Sequence, residues 1–223
     1  MKIRRFESRD EFIGQAATEL RMRMECRSPT PHAVIVPGGR TPFDLYQQLA
    51  DAPPEIDERF HLILSDERYV AETAPDSNFG RMRPLLESMG MDDRQVLRPN
   101  CCHAIEQSAL QFNHEIGEFF ERGGLISLGF LGVGSDGHTA SIFSLHHLKY
   151  PSNAYATEVM MTDPPNRISI TSGVISQIER LIFLCAGSDK NDIVRRVESD
   201  PSNVIAVLAA QGVQNMELWH SLE

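Results

Sequence analysis

The stretch ISLGFLGVGSDGHTAS (residues 126–141) joins an apolar run to a glycine-rich turn and then to a histidine. An uninterrupted apolar run that leads into glycines is typical of a buried strand of a parallel sheet followed by a tight turn. Gly132, Gly134 and Gly137 also satisfy the G-x-G-x-x-G pattern of dinucleotide-binding loops. The stretch therefore predicts a strand and a ligand-binding turn, and it leaves the ligand open.

The surroundings of this turn argue against a dinucleotide. Such a turn normally opens the binding unit, and an acidic residue ends the next strand about 20 residues later. Here the turn lies past the middle of the chain, and Glu158 precedes an apolar run instead of following one. Pro151 and the polar segment SLHHLKYPSN (residues 144–153) interrupt the connection that should form a packing helix.

We therefore interpret residues 132–141 as a catalytic turn. An imidazole with a pKa of about 6.5 suits proton transfer near neutrality, which makes His138 the candidate acid–base group. Asp136 lies two residues earlier, where its carboxylate can orient the ring or raise its basicity.

Apolar segments and helical patterns alternate outward from this turn. Helices are predicted after a capping box at Ser8 and Glu11, after Thr41 as a cap with Pro42 at the first position, after Ser77, over residues 104–121 and over 188–197. Strands are predicted within residues 32–36, 60–64, 154–161, 167–171 and 180–187, and more weakly within 203–208 and 216–220. This alternation predicts the α/β class: a single three-layer α/β/α domain over residues 1–223, with a mostly parallel, Rossmann-like sheet.

Four polar turns follow predicted strands, and ligands of such sheets bind beyond the carboxyl ends of the strands. The turns are PGGRTP (residues 37–42), SDERYV (65–70), GVGSDGHTAS (132–141) and AGSDK (186–190). They come from distant parts of the chain, and their convergence is the expected geometry of one site.

The first and last of these turns suit a phosphate. Gly38 and Gly39 allow close backbone approach at a helix start, and Arg40 and the Thr41 hydroxyl add hydrogen-bond donors. Lys190 is predicted in the first turn of a helix, where the helix dipole disfavours a cation unless an anion binds there.

The turn at residues 65–70 carries charges just past a buried strand. Arg68 can bind an anion through two parallel hydrogen bonds, and Asp66 can orient a hydroxyl or accept a proton. A solvated charged turn is the competing interpretation of such a run.

Composition limits the partners of the chain. The formal charge of -10 argues against nucleic acid and anionic membranes as main partners, so a small molecule is expected. The four cysteines form no C-x-x-C pair, which favours reduced thiols. The first residues have no apolar signal core, and no run approaches a membrane span, so we expect a cytoplasmic protein.

Five ordered motifs together resemble the 6-phosphogluconolactonase family: PGGRTP, SDERYV…DSN, LGVGSDGHTASIF, NRISIT and AGSDK, from about Val34 to Lys190. The resemblance implies hydrolysis of 6-phosphogluconolactone to 6-phosphogluconate, the second step of the oxidative pentose phosphate pathway. It also implies a small-molecule sugar-phosphate substrate and neither a metal nor an organic cofactor. We expect a monomer or a weak homo-oligomer.

The resemblance also assigns roles by position. His138 is similar to the general base that activates water. The phosphate-binding group that it implies is Gly38, Gly39, Thr41, Arg68 and Lys190. Asp66, Asn78 and Asp136 would position sugar hydroxyls or the histidine, and Arg167 matches a cation near the substrate. Arg40 stands where the family usually has a serine, so it either adds a phosphate contact or crowds the loop.

Two alternatives stay open. The related glucosamine-6-phosphate deaminases share the Gly-Gly-x-Thr-Pro loop and the D-G-H turn. They usually carry D-E-Y where this chain has DER, and a different continuation where it has TASIF. A non-catalytic sugar-phosphate sensor is the second alternative, although the acidic chain offers no basic face for DNA.

Overall fold

The computed structural model describes residues 1–150 and 154–222, without the side chain of Arg40. Residues 151–153, where the sequence predicts an interruption by Pro151, lie outside this part. The strands are β1 (Lys2–Phe6), β2 (His32–Val36), β3 (Phe60–Leu64), β4 (Asp66–Arg68), β5 (Val96–Leu97), β6 (Leu125–Gly132), β7 (Ala156–Val159), β8 (Arg167–Ile170), β9 (Arg180–Ala186) and β10 (Asn215–Ser221). The α-helices are α1 (Arg9–Met24), α2 (Arg40–Asp51), α3 (Asn78–Ser88), α4 (Ile105–Glu121), α5 (Ser172–Ile175), α6 (Asn191–Ser199) and α7 (Ile205–Ala209).

Seven strands form one sheet in the order β1-β10-β9-β6-β2-β3-β5. Every neighbouring pair in this sheet is parallel. β2 and β3 are buried along their whole length, as their unbroken apolar sequences predict. The predicted α/β class with a mostly parallel sheet is confirmed.

Helices cover both faces of this sheet. On one face, α1, α2 and α3 bury Phe12, Leu45 and Phe79 against strand residues that include Trp219. On the other face, α4, α5, α6 and α7 pack over alternate residues of the same strands, among them Phe183. The predicted three-layer arrangement is confirmed.

A second, three-stranded antiparallel sheet, β4-β8-β7, packs on the α4 side. β4 follows β3 almost directly, and Ile170 N–H donates to the Ser65 carbonyl at 2.9 Å where the chain changes sheet. The sequence predicts only a turn at residues 65–70, because three charged residues carry no strand periodicity. Pairing with β8 makes them a strand and places Arg68 opposite Arg167.

The predicted helix caps have mixed outcomes. The Ser8 side chain accepts the Glu11 N–H and the Ser77 side chain accepts the Gly80 N–H, as predicted. The capping box at Ser8 is incomplete, because the Glu11 carboxylate accepts the Glu7 N–H instead of the Ser8 N–H. The prediction that Thr41 caps α2 is wrong. The cap is Gly39, whose φ of 105° lies in the left-handed region, so the helix begins two residues earlier than predicted, at Arg40.

The two weaker strand predictions have different outcomes. Residues 205–209 form α7 and not a strand, whereas the weaker strand predicted around residues 216–220 is β10. The chain also begins with β1, for which no strand was predicted. No helix in the described part of the chain is both long and apolar enough to cross a membrane.

Leu110 does not share the buried face of α4 that its spacing predicts. It is 69% exposed, whereas Ile116 of the same helix is fully buried. Ile116→Ala is therefore expected to lower the free energy of unfolding by about 2–5 kcal/mol, because it removes packed methyl groups and leaves a cavity. The matched variant Leu110→Ala should change it by less than about 0.5 kcal/mol. Urea denaturation followed by circular dichroism measures both, and equal losses would contradict the assigned face.

Candidate active site

The four polar turns meet at one cavity of about 470 Å³ at the carboxyl ends of the central strands. Nine predicted site residues line it: Gly38, Gly39, Thr41, Asp66, Arg68, Asn78, His138, Arg167 and Lys190. Asp136 lies just behind His138. The backbone of Arg40 begins α2, but its side chain lies outside the described atoms, so its phosphate contact stays a prediction.

His138 and Asp136 form a hydrogen-bonded pair in the turn that follows β6. The Asp136 Oδ1 atom lies 2.6 Å from His138 Nδ1 and also accepts the His138 backbone N–H at 3.1 Å. Burial opposes ionisation of this carboxyl, but its bonds to the His138 backbone and ring outweigh burial and lower the pKa of Asp136. An ionised Asp136 holds the Nδ1–H tautomer, so the other ring nitrogen, Nε2, has a lone pair for proton transfer.

The backbone conformation of the turn allows the Asp136 and His138 side chains to meet. Gly134 N–H donates to the His138 carbonyl at 2.8 Å, and Gly137 adopts a φ of 97°. A Cβ atom at Gly134 would lie 2.2 Å from His138 Nδ1 and 2.5 Å from Asp136 Oδ1. Glycine is therefore required at position 134 by close contact, and not by binding of a pyrophosphate.

Asp66 is held by two serine hydroxyls. Ser65 Oγ donates to Oδ1 and Ser141 Oγ to Oδ2, both at 2.8 Å. Ser141 belongs to the turn of His138, so this bond ties the catalytic turn to β4. Neither serine was predicted to have a role, because a serine beside a charged turn resembles any surface serine in sequence.

Asn78, the first residue of α3, lies against the glycine loop. Its Nδ2 donates to the Asp66 carbonyl at 2.9 Å, and its Oδ1 is buried without a hydrogen-bond partner among the described residues. A Cβ atom at Gly38 would be 2.0 Å from that Oδ1. An unpaired buried acceptor is costly, so this oxygen suits a donor supplied by a ligand.

Arg68 and Arg167 are paired across the β4–β8 ladder. Arg68 Nη1 donates to the Asp76 carbonyl at 2.9 Å, and the Nε atoms of both arginines are buried without partners within the described part. Burial lowers the pKa of Arg167, and the charge of Arg68 lowers it further. Two adjacent guanidinium groups with unused donors have the chemistry that an anion requires.

Lys190 lies on the other side of the cavity. It ends the 3₁₀ turn Ser188–Lys190 and precedes α6, instead of lying within the first helical turn as predicted. Its Nζ is 3.5 Å from Ser135 Oγ, which is a weak contact.

Sequence reasoning gave no role to Glu67, which is 2% exposed and lies behind the cavity wall. Burial raises the pKa of Glu67, and the backbone N–H groups of Phe79, Asn78 and Arg68 oppose that rise. In the described part of the chain, no three His, Cys, Asp or Glu side chains group closely enough to hold a metal ion.

The family model for glucosamine-6-phosphate isomerases/6-phosphogluconolactonase matches residues 7–219. The chain therefore belongs to this family of sugar-phosphate enzymes. Within it, the 6-phosphogluconolactonase of Aggregatibacter actinomycetemcomitans is 31% identical over 193 residues, covering 81% of this chain and 79% of that protein. The 6-phosphogluconolactonase of Synechocystis is 33% identical over 179 residues, covering 75% and 73%.

Solved structures show the same fold. The 6-phosphogluconolactonase of Thermotoga maritima superposes with a TM-score of 0.83 at 24% identity, covering 100% of this chain and 99% of that one. A monomeric glucosamine-6-phosphate deaminase gives 0.77 at 14% identity, covering 99% and 97%. Both branches of the family thus share this architecture, so the side chains of the site must distinguish them.

Gly134→Ala is expected to break the Asp136–His138 pair, because the added Cβ would overlap both side chains. The Nδ1–H proton resonance of His138, visible by NMR while the hydrogen bond holds, should disappear. Gly132→Ala in the same turn is the control, since a Cβ there meets no atom within 4 Å. A resonance that persists in Gly134→Ala would refute the steric argument.

Proposed function

We propose that this chain hydrolyses 6-phospho-D-glucono-1,5-lactone to 6-phosphogluconate, the second step of the oxidative pentose phosphate pathway. One observation carries the proposal. A carboxylate-bonded histidine and three cationic side chains, Arg68, Arg167 and Lys190, line the same cavity. The relatives named 6-phosphogluconolactonase support this choice of substrate.

The phosphate of the substrate is assigned to the cations. The unpaired Nε donors of Arg68 and Arg167 offer charge-assisted hydrogen bonds, which a dianion accepts. Gly38, Gly39 and Thr41 line the same cavity at the N-terminus of α2, where free N–H groups and the helix dipole favour an anion.

The sugar hydroxyls are assigned to acceptors. The carboxylate of Asp66 and the unpaired Oδ1 of Asn78 repel a phosphate and accept hydrogen bonds from hydroxyl groups. Donors and acceptors in one cavity thus fix the direction in which a phosphorylated sugar binds.

His138 is the proposed general base. Its Nε2 takes a proton from water as the water oxygen attacks the lactone carbonyl carbon, and Asp136 stabilises the resulting imidazolium. The tetrahedral intermediate then collapses, and the bond from the carbonyl carbon to the ring oxygen breaks. The imidazolium returns its proton to that oxygen, which leaves a hydroxyl group and a carboxylic acid. The acid then loses its proton to solvent and becomes the carboxylate of the product.

His138→Ala is expected to reduce kcat by about 10²–10⁴-fold, which is the usual contribution of a positioned acid–base group. The assay generates the lactone in situ and follows its loss against the spontaneous rate. Calorimetry should show that the variant still binds 6-phosphogluconate. Equal rates for wild type and variant would exclude His138 as the base. Absence of acceleration by the wild type would refute the proposal, and ammonia release from glucosamine 6-phosphate would instead favour a deaminase.

Arg167→Met keeps the apolar stem and removes the guanidinium group. KM for the phosphorylated lactone should rise about tenfold or more, the usual loss for a hydrogen bond to a charged group. Turnover of unphosphorylated gluconolactone should not change, since that substrate has no phosphate to bind. An equal loss for both lactones would show that Arg167 does not contact the phosphate.

A further inference from the structure

Glu67 is a buried carboxylate with no cationic partner among the ion pairs of the described residues. Its Oε1 accepts the backbone N–H groups of Arg68 and Asn78, each at 2.7 Å. Its Oε2 accepts the Phe79 N–H at 2.7 Å and the Ser77 hydroxyl at 3.2 Å. Four donors therefore surround one carboxylate that does not line the main cavity.

Three of these donors belong to the start of α3. Ser77 is the cap residue and satisfies Gly80, while Glu67 satisfies the first two helical N–H groups, those of Asn78 and Phe79. Helix N-termini favour a negative charge, and N–H bonds to a carboxylate are strong. This end of α3 is thus capped by a side chain from another element, ten residues earlier in the sequence.

The Oε1 atom also connects two residues of the cavity. Because Arg68 and Asn78 donate to the same oxygen, their backbones are held at a fixed separation across the gap between β4 and α3. Asn78 in turn bonds the Asp66 carbonyl and touches Gly38, whereas Arg68 bonds the Asp76 carbonyl in the loop before α3. A shift at Glu67 would therefore move an anion-binding guanidinium and a hydroxyl acceptor together.

We propose that Glu67 is a positioning residue of the phosphate end of the site, acting through Arg68 and Asn78. It touches no substrate. Its carboxyl group places the guanidinium of Arg68 beside that of Arg167, and it keeps Asn78 against the glycine loop. The inference rests on the proposed function for its choice of substrate, but the effect on anion binding can be measured without catalysis.

Glu67→Gln tests this role because it preserves shape and replaces one carboxylate oxygen by an NH2 group, whose two N–H donors then face other N–H groups. Calorimetry should show that inorganic phosphate and 6-phosphogluconate bind about tenfold or more weakly, since small misplacements of binding groups have large effects. In the lactonase assay KM for the phosphorylated lactone should rise more than kcat falls. Turnover of unphosphorylated gluconolactone should fall less than turnover of the phosphorylated lactone, because it uses Asn78 but lacks the phosphate that Arg68 would bind.

A matched variant distinguishes a general loss of stability from a specific loss of phosphate binding. Glu19→Gln also removes a buried carboxylate, which bonds Arg180 at 2.9 Å at the opposite, amino-terminal edge of the sheet. It should lower the melting temperature and leave phosphate binding unchanged. The proposal is overturned if folded Glu67→Gln binds phosphate like the wild type, or if Glu19→Gln weakens binding equally.

Glu67→Asp provides the same comparison if the glutamine variant does not fold. It keeps the charge but is one methylene shorter, so it cannot reach the α3 donors without moving β4. Weaker phosphate binding supports the proposal, and unchanged binding overturns it. If wild type fails to accelerate lactone loss while Glu67 variants lose phosphate binding, the proposed function fails and the positioning role stands. If the wild type accelerates lactone loss and its Glu67 variants bind phosphate like the wild type, the proposed function stands and the positioning role fails.

Discussion

The parallel direction of the seven-stranded sheet is the constraint on which the site depends. The strands β9, β6, β2 and β3 are consecutive neighbours in this sheet, and each ends in one of the four polar turns. Neighbouring strands lie about 4.8 Å apart, so the four turns span about 14 Å along one edge. That span accommodates one sugar phosphate. No single turn has to bind the whole ligand, which explains why each motif alone is a weak signal.

The small antiparallel sheet adds the second wall of the cavity. β4 leaves the main sheet after Ser65 and pairs with β8, which brings Arg68 and Arg167 together. Two half-buried guanidinium groups repel each other, and their buried Nε donors have no partner among the described residues, an arrangement that disfavours the unliganded fold. An anion compensates both penalties at once. The Ser141–Asp66 hydrogen bond then fixes this wall to the turn of His138, so that the two arginines and the histidine keep a constant relation.

Sequence patterns are sufficient to predict an element where one kind of residue fills the whole segment. The apolar runs of β2, β3 and β9 and the polar turns at their ends are predicted, because burial on both faces leaves an uninterrupted signal. β1 was missed since an edge strand tolerates the exposed charges of KIRRF. Residues 205–209 were assigned wrongly, because a short apolar run does not distinguish strand from helix.

The site residues were harder to predict when their role depends on a distant partner. A run such as DER usually lies in solvent, and nothing at Glu67 reveals that its hydrogen-bond donors begin a helix ten residues later. Thr41 looked like a helix cap, but the left-handed conformation of Gly39 moved the start of α2.

Side chains whose role depends on distant residues also matter for the difference between the lactonase and deaminase branches of the family. A lactonase and a deaminase both share this fold, with TM-scores of 0.83 and 0.77 against this chain, so the fold alone cannot select between them. Selection requires groups that distinguish the reacting ends of their substrates. In this chain Arg68 and Arg167 lie together on one part of the cavity wall, and Asp66 and Asn78 place acceptors beside them. In the proposed binding mode, a phosphate bound to the two arginines leaves the rest of the sugar to the acceptors and to His138. Glu67 holds Arg68 and Asn78 together, so in this proposal the orientation of the substrate depends on a residue that does not line the cavity.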